Sequence, residues 1–194
     1  MRKANIHRKT KETEINLELY IDSEKSDYNI STPVGFLNHM LDLFAKHSGF
    51  SLFIEADGDV NVDFHHTVED IGIVLGEGFR KALGDFKGIK RYGNAVIPMD
   101  DSLSMVTIDI SNRPFLVYNT NLEKGKVGEI DIELFEEFFN AFTNNLRCNL
   151  HINNFYGKNN HHILESIFKA FAYAMKEAVT IVGTEVVSTK GILI

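Results

Sequence analysis

One local pattern occurs twice in the sequence, and this repetition constrains the fold more than any other feature. Residues 65–69 have the sequence HHTVE, and residues 161–165 have the sequence HHILE. In each half the pattern follows an amphipathic segment, a short apolar segment and a polar loop, and it opens a further helical segment. Two copies are too few for a solenoid, which needs several stacked repeats. The sequence therefore predicts an internally duplicated α+β protein whose halves share one core.

Hydrophobic periodicity predicts matching elements in the two halves, which we assign to residues 1–92 and 93–194. Alternating polar and apolar side chains predict a half-buried strand at 14–21, and apolar side chains at helical spacing predict a helix at 36–47. The other predicted elements are a strand at 50–56, a helix from about 66 to 84, strands at 96–99, 103–110 and 115–118, a helix at 131–146, a strand at 148–153 and a helix from 161 to about 182. Asn160 is the predicted cap of this last helix. The glycines of the second predicted helix indicate close backbone packing.

Composition excludes several classes of protein. A chain of 194 residues with 44% hydrophobic residues can bury a sizeable core. The net charge of −7 argues against a protein that binds nucleic acid or anionic membranes through a basic surface. The sequence has no apolar run of the roughly 18 residues that span a membrane, and Met1 to Asn5 do not open a signal peptide. With Cys148 as its single cysteine, we expect a soluble cytoplasmic protein in which that thiol is a small buried hydrophobe.

The doubled histidine pattern predicts metal ligands. A single His-His pair is usually a surface or capping feature, but two copies at equivalent places in a duplicated chain are not explained in that way. On a helix, residues three or four positions apart share a face, so Glu69 can share one with His65 or His66. Adjacent residues point about 100° apart, so the two histidines of one doublet should serve different ions. The pattern therefore predicts two metal ions.

Each half should offer one more ligand from its preceding helix. In the first half this is His39, and at the corresponding place in the second half stands Glu137, whose alternative role is a solvated position on the helix surface. Imidazole and carboxylate ligands suit Mn²⁺, Fe²⁺ or Zn²⁺, and the hard oxygen ligands favour Mn²⁺. His7, His47 and His151 have no comparable partners, and we assign them no metal. The candidate metal ligands are His39, His65, His66, Glu69, Glu137, His161, His162 and Glu165.

Several longer motifs resemble those of the imidazoleglycerol-phosphate dehydratases of histidine biosynthesis, in their monofunctional form. They span nearly the whole chain in the order of that family, and the match is highly specific. The motifs are FLNHML at 36–41, FHHTVED at 64–70, RYG at 91–93, PMD at 98–100, NRP at 112–114, GKNNHH at 157–162 and STKG at 188–191. Departures are Asn38, where the family often has Asp, Asn112, where glycine is common, and Glu137, where some members have His.

This resemblance implies a hydro-lyase that converts D-erythro-imidazole-glycerol phosphate to imidazole-acetol phosphate with two Mn²⁺ per active site. It also implies a four-stranded sheet covered by helices in each half, a fold shared with a ribosomal-protein domain, and a homo-oligomer of 24 subunits with active sites between subunits. Glu12 becomes the candidate acid–base group, and the implied catalytic residues are Glu12, His65, Glu69 and Glu165. The implied substrate-binding residues are Glu12, His39, His65, His66, Glu69 and, for the phosphate, Arg91, Arg113, Ser188, Thr189 and Lys190.

The expected chemistry removes a carbon-bound proton that is not acidic. An imidazole ring that binds metal through both nitrogens is held as an imidazolate, and loss of the adjacent hydroxyl gives a diazafulvene-like intermediate. One alternative is a two-metal hydrolase, which would release phosphate rather than water. A di-iron storage protein is a second, but such proteins are four-helix bundles that use Glu-x-x-His rather than His-x-x-Glu. A shell without catalysis, the third, would not need the arginine and lysine candidates.

Overall fold

The computed structural model describes residues 1–193 and confirms a duplicated α+β fold. Both halves have the same order of principal elements, namely two antiparallel strands, a third strand, a helix, a fourth strand and a second helix. The first half consists of β1 (Lys3–Lys9), β2 (Thr13–Tyr20), β3 (Tyr28–Ser31), α1 (Gly35–Ser48), β4 (Ser51–Gly58) and α2 (His65–Leu83). The second half consists of β5 (Tyr92–Met99), β6 (Ser102–Asp109), β7 (Phe115–Asn119), β8 (Lys126–Val127), β9 (Ile130–Asp131), α3 (Leu134–Leu146), β10 (Asn149–Tyr156) and α4 (Asn160–Ala178).

The two sheets have equivalent topology. The strand order is β1-β2-β4-β3 in the first sheet and β5-β6-β10-β7 in the second. In each sheet the first three strands are antiparallel, and the last one pairs in parallel with its neighbour. The short β8–β9 hairpin of the second half forms a separate two-stranded sheet. The division of the halves between residues 92 and 93 stays a prediction.

Helices from opposite halves pack against each other, α1 against α4 and α2 against α3. Phe44 of α1 stacks on Phe171 of α4 with ring centroids 4.8 Å apart. Between α2 and α3 the backbones approach closely, because a Cβ atom on Gly72 would lie only 2.5 Å from the carbonyl oxygen of Phe138. The buried side chains of both halves consequently form one hydrophobic cluster, which also contains Cys148. No helix within residues 1–193 has the length and apolar character that crossing a membrane requires.

The observed elements differ from the predicted ones mainly at edges and ends. β1 and β3 were not assigned from periodicity, since both are edge strands and β3 has only four mostly exposed residues. α3 begins at Leu134 rather than 131, because Asp131 lies in β9 and pairs with Lys126 of β8. α4 ends at Ala178 rather than about 182, because the following residues exchange backbone hydrogen bonds with the segment 88–91. Its N-cap is Asn159 rather than Asn160, and the Asn159 side chain accepts a hydrogen bond from the His161 amide.

Candidate active site

Three of the candidate ligands meet where α1 packs on α4. Nε2 of His39 lies 3.0 Å from Oε1 of Glu165, and Nε2 of His161 lies 3.1 Å from the same oxygen. Among residues 1–193 these form the one group of three or more His, Cys, Asp or Glu residues whose ligand atoms all lie within 4.8 Å of one another. Bonds of about 2.1 Å to a six-coordinate ion place neighbouring donor atoms about 3.0 Å apart. The nitrogen and oxygen donors therefore fit a divalent ion such as Mn²⁺, Fe²⁺ or Zn²⁺.

Glu165 is held in its ionised form. Burial raises the pKa of this carboxyl, but hydrogen bonds from Lys169, His39 and His161 outweigh burial and lower the pKa to about 2. The strongest of these contacts is a salt bridge in which Lys169 Nζ lies 2.6 Å from Oε2. A carboxylate that stays charged at neutral pH is ready to bind a cation without first losing a proton.

The two doublets have nearly identical geometry. The rings of His65 and His66 have centroids 6.1 Å apart at an interplanar angle of 80°, and those of His161 and His162 are 6.2 Å apart at 79°. The first histidine of each doublet faces the glutamate one turn later, and His65 Nε2 lies 3.7 Å from Glu69 Oε2. The second histidine points elsewhere, in agreement with the helical spacing.

Glu137 occupies the position in α3 that His39 occupies in α1. Both helices end at a left-handed residue, Gly49 with φ 80° and Arg147 with φ 61°, and the two candidate ligands stand the same number of residues before these caps. α2 and α3 run side by side in the same direction, since Gly72 faces Phe138 and the next turn of α2 faces the next turn of α3. Glu69 stands three residues before Gly72, and Glu137 stands one residue before Phe138, so these half-exposed side chains lie toward the same end of the interface. Its role as a ligand stays a prediction, because Glu137 is not part of the group of three.

Two carboxylates that no sequence pattern singles out contact the second histidine of each doublet. Nδ1 of His66 lies 3.0 Å from Asp59 Oδ2, and the hydrogen bond to Asp59 raises the pKa of His66. Nδ1 of His162 lies 2.5 Å from Asp101 Oδ1, and this bond raises the pKa of His162. Both aspartates lie in loops, where aspartate is common, so their spacing from the doublets carried no signal.

The first-half hairpin brings Glu12 to the doublet. Oε1 of Glu12 lies 3.9 Å from Nε2 of His66, and more than half of the Glu12 side chain is exposed. Buried contacts fix this hairpin, because Thr13 Oγ1 donates a hydrogen bond of 2.5 Å to Asp70 and Arg8 forms an ion pair of 2.9 Å with the same carboxylate. The sequence-predicted acid–base residue therefore lies on a hairpin that is anchored to α2.

The candidate phosphate ligands line a single cleft of about 690 Å³, separate from the group of three. Arg91 is held in place by Asp109, whose Oδ1 lies 2.6 Å from its Nε. Arg113 is exposed and donates to the Ser111 carbonyl at 3.3 Å, and the Lys190 side chain is likewise exposed. The cleft thus presents positive charge in a chain that is acidic as a whole. Its lining includes all five candidates, namely Arg91, Arg113, Ser188, Thr189 and Lys190.

The turn beside Arg113 explains one departure from the family pattern. Asn112 has φ 61°, in the left-handed region that glycine favours and that asparagine tolerates better than most residues. Its side-chain oxygen accepts hydrogen bonds from Arg80 at 2.8 Å and from Arg147 at 3.0 Å, and its amide donates to the Leu193 carbonyl at 3.2 Å. Asparagine can therefore replace glycine here and also tie this turn to the C-terminal segment.

Comparisons with known proteins agree with this architecture. A family model described as "Imidazoleglycerol-phosphate dehydratase" matches residues 32–175. A protein of that name from Geobacter sulfurreducens is 56% identical over 192 residues, which cover 98% of both chains. Another from Clostridium kluyveri is 53% identical over 197 residues, which cover 100% of both chains. The crystal structure of the Staphylococcus aureus enzyme aligns with a TM-score of 0.83 at 46% identity, covering 92% of this chain and 99% of that one. The Pyrococcus furiosus structure aligns with a TM-score of 0.85 at 38% identity, covering 97% of this chain and 100% of that one.

Proposed function

Because this chain belongs to the imidazoleglycerol-phosphate dehydratase family, we propose that it performs a two-metal dehydration at its doubled histidine motif. It is a hydro-lyase of histidine biosynthesis that acts on a phosphorylated imidazole substrate. The proposed reaction converts D-erythro-imidazole-glycerol phosphate to imidazole-acetol phosphate with loss of one water. The observation that carries the metal proposal is the convergence of His39, His161 and Glu165. The cytoplasmic location stays a prediction.

Two sets of residues would hold the metal ions. The first set is the observed group of His39, His161 and Glu165, and the second is its pseudo-symmetric counterpart of Glu137, His65 and Glu69. Ions with this ligand chemistry, most simply Mn²⁺, would supply Lewis acidity that favours loss of the N–H proton and so stabilises the ring as an electron-rich imidazolate. Each set would then supply three protein ligands, and one further nitrogen, from His66 or His162, would make four.

The remaining chemistry is a proton transfer by the chain itself. In the proposed reaction the hydroxyl next to the ring takes up a proton and leaves as water, which would give a diazafulvene-like intermediate, and the neighbouring carbon then loses its proton to give an enol that becomes the ketone. Glu12 is the proposed acid–base group for the proton transfers, because its exposed carboxylate lies on an anchored hairpin beside His66. A carboxylate in this place can accept and return a proton at the substrate.

The phosphate end of the substrate fits the cleft that contains Arg113 and Lys190. A guanidinium group can bind a phosphate through two hydrogen bonds, and an ammonium group adds a point charge. Ser188 and Thr189 add hydroxyl donors, while Arg91 is held by Asp109 at the wall of the cleft. These groups and the histidine sets lie in different parts of one chain, so we propose that neighbouring copies in a 24-subunit homo-oligomer complete each active site.

Product analysis tests this function against the hydrolase alternative. Purified protein loaded with Mn²⁺ is incubated with imidazole-glycerol phosphate, and imidazole-acetol phosphate and inorganic phosphate are both measured. We expect the ketone to accumulate while inorganic phosphate stays at the level of a control without enzyme. Phosphate release without ketone formation would support the hydrolase and contradict the proposed dehydration.

A further inference from the structure

We propose that Asp59 and Asp101 are positioning residues, each of which orients the second histidine of one doublet. This inference rests on the proposed two-metal function. Nδ1 of His66 lies 3.0 Å from Asp59, and Nδ1 of His162 lies 2.5 Å from Asp101. In both halves the ring nitrogen nearer the backbone is therefore occupied by a carboxylate.

The contact determines which nitrogen is free to bind metal. A neutral imidazole has one protonated nitrogen, and a carboxylate beside Nδ1 holds the proton there. The lone pair then stands on Nε2, and the ring cannot rotate without losing the hydrogen bond. Metal-binding histidines commonly use such a carboxylate to set their tautomer and orientation. His66 and His162 are thereby prepared to present Nε2 to an ion.

The two aspartates do not occupy equivalent positions in the duplicated fold. Gly58 and Gly157 are equivalent, because a Cβ atom on either would collide with the third residue of the His-His-x-x-Glu pattern, Thr67 or Ile163. The residue after each glycine is Asp59 in the first half but Lys158 in the second. The contact between a carboxylate and Nδ1 of the second histidine is therefore present in both halves but comes from different positions, which duplication of one ancestral half does not explain.

Asp101 instead comes from the β5–β6 hairpin, just before β6. The corresponding place before β2 in the first half holds Glu12. Asp101 also accepts hydrogen bonds from the amides of Lys158 and Asn159, at 2.6 and 3.2 Å. In the second half the hairpin carboxylate is thus committed to orienting His162. In the first half Asp59 performs this task, and Glu12 is left beside Nε2 of His66.

The test compares Mn²⁺ affinity with metal-free stability in the assembled full-length protein. Asp59→Ala removes the carboxylate, Asp59→Asn keeps an oxygen that can accept from Nδ1, and Asp85→Ala removes an exposed aspartate that pairs with Lys87. Titration calorimetry of metal-depleted protein measures affinity, and thermal unfolding without metal measures stability. We expect Asp59→Ala to bind Mn²⁺ about 10–100-fold more weakly with an unchanged Tm, Asp59→Asn to recover most of the affinity, and Asp85→Ala to match the wild type.

Two results would overturn the inference while leaving the proposed function intact. The first is a wild-type Mn²⁺ affinity in Asp59→Ala. The second is a loss of Mn²⁺ affinity in both Asp59 variants that parallels a lower Tm of the metal-free protein, because that pattern indicates a merely structural contact. A wild-type protein that binds no Mn²⁺ but still dehydrates the substrate would instead overturn the two-metal proposal, and the positioning role with it. Asp101→Ala provides the second arm, with weaker Mn²⁺ binding expected together with some loss of Tm from the freed Lys158 and Asn159 amides.

Discussion

Nε2 of His39 lies 3.0 Å from Oε1 of Glu165, although the two residues belong to opposite halves of the duplicated chain. The reason is that α1 packs on α4 rather than on α2. The candidate ligand His39 of the first half therefore meets the histidine doublet of the second half. By pseudo-symmetry, Glu137 of α3 belongs with the first doublet on α2. Each proposed metal site thus draws on residues of both halves, which also share one core.

Replacing His39 should weaken Mn²⁺ binding. His39→Ala removes one of the three donors in the observed group. Loss of a residue that only orients a ligand weakens metal affinity about 10–100-fold, so loss of a ligand itself should weaken Mn²⁺ affinity at least as much. His47→Ala is a matched control, because His47 lies on the same helix and contacts Tyr173 instead. Calorimetry of metal-depleted protein measures both affinities. Equal affinities in the two variants would remove His39 from the ligand set.

Replacing Glu137 should reduce the metal bound per chain. Glu137→Gln keeps the size of the side chain but removes the negative charge that favours a divalent ion. Glu136→Gln changes the adjacent, exposed residue of α3 and serves as the control. Elemental analysis after dialysis against limiting Mn²⁺ gives the stoichiometry. A Glu137→Gln protein with wild-type stoichiometry would leave His39 without a counterpart.

Replacing Arg113 should raise the KM for the phosphorylated substrate. A hydrogen bond to a charged group contributes about 1.5–3 kcal/mol, which corresponds to a roughly 10–100-fold increase in KM for Arg113→Ala. Arg113→Lys keeps the charge and should fall between the two proteins. Lys87→Ala, which removes an exposed charge paired with Asp85, should leave KM unchanged. An unchanged KM in Arg113→Ala would exclude this residue from the phosphate site.

Replacing Asp70 should destabilise the hairpin that carries Glu12. Asp70→Ala leaves Arg8 without its ion-pair partner and Thr13 without its acceptor, so the metal-free protein should lose about 1–3 kcal/mol of unfolding free energy. Thr13→Val removes only one of the two contacts and should cost less. Thermal unfolding measures both effects, and kcat should fall with Asp70→Ala because Glu12 is no longer held. Wild-type stability in Asp70→Ala would show that the network does not anchor the hairpin.

The sequence predicted the features that depend on local order. The helical spacing within each doublet predicts the different directions of His161 and His162, and the repetition predicts the duplicated fold. The crossed packing of the helices was not predictable, because it depends on which apolar faces meet in the shared core. Asp59 and Asp101 were missed for a related reason. Each lies in a loop, and only the tertiary structure brings it to a histidine.

The most direct test of the account is the metal dependence of dehydration. Formation of imidazole-acetol phosphate is followed by absorbance in untreated protein, in protein stripped with a chelator, and in stripped protein after Mn²⁺ is restored. We expect stripping to abolish product formation and Mn²⁺ to restore it. Full activity in protein shown by elemental analysis to contain no metal would contradict this expectation.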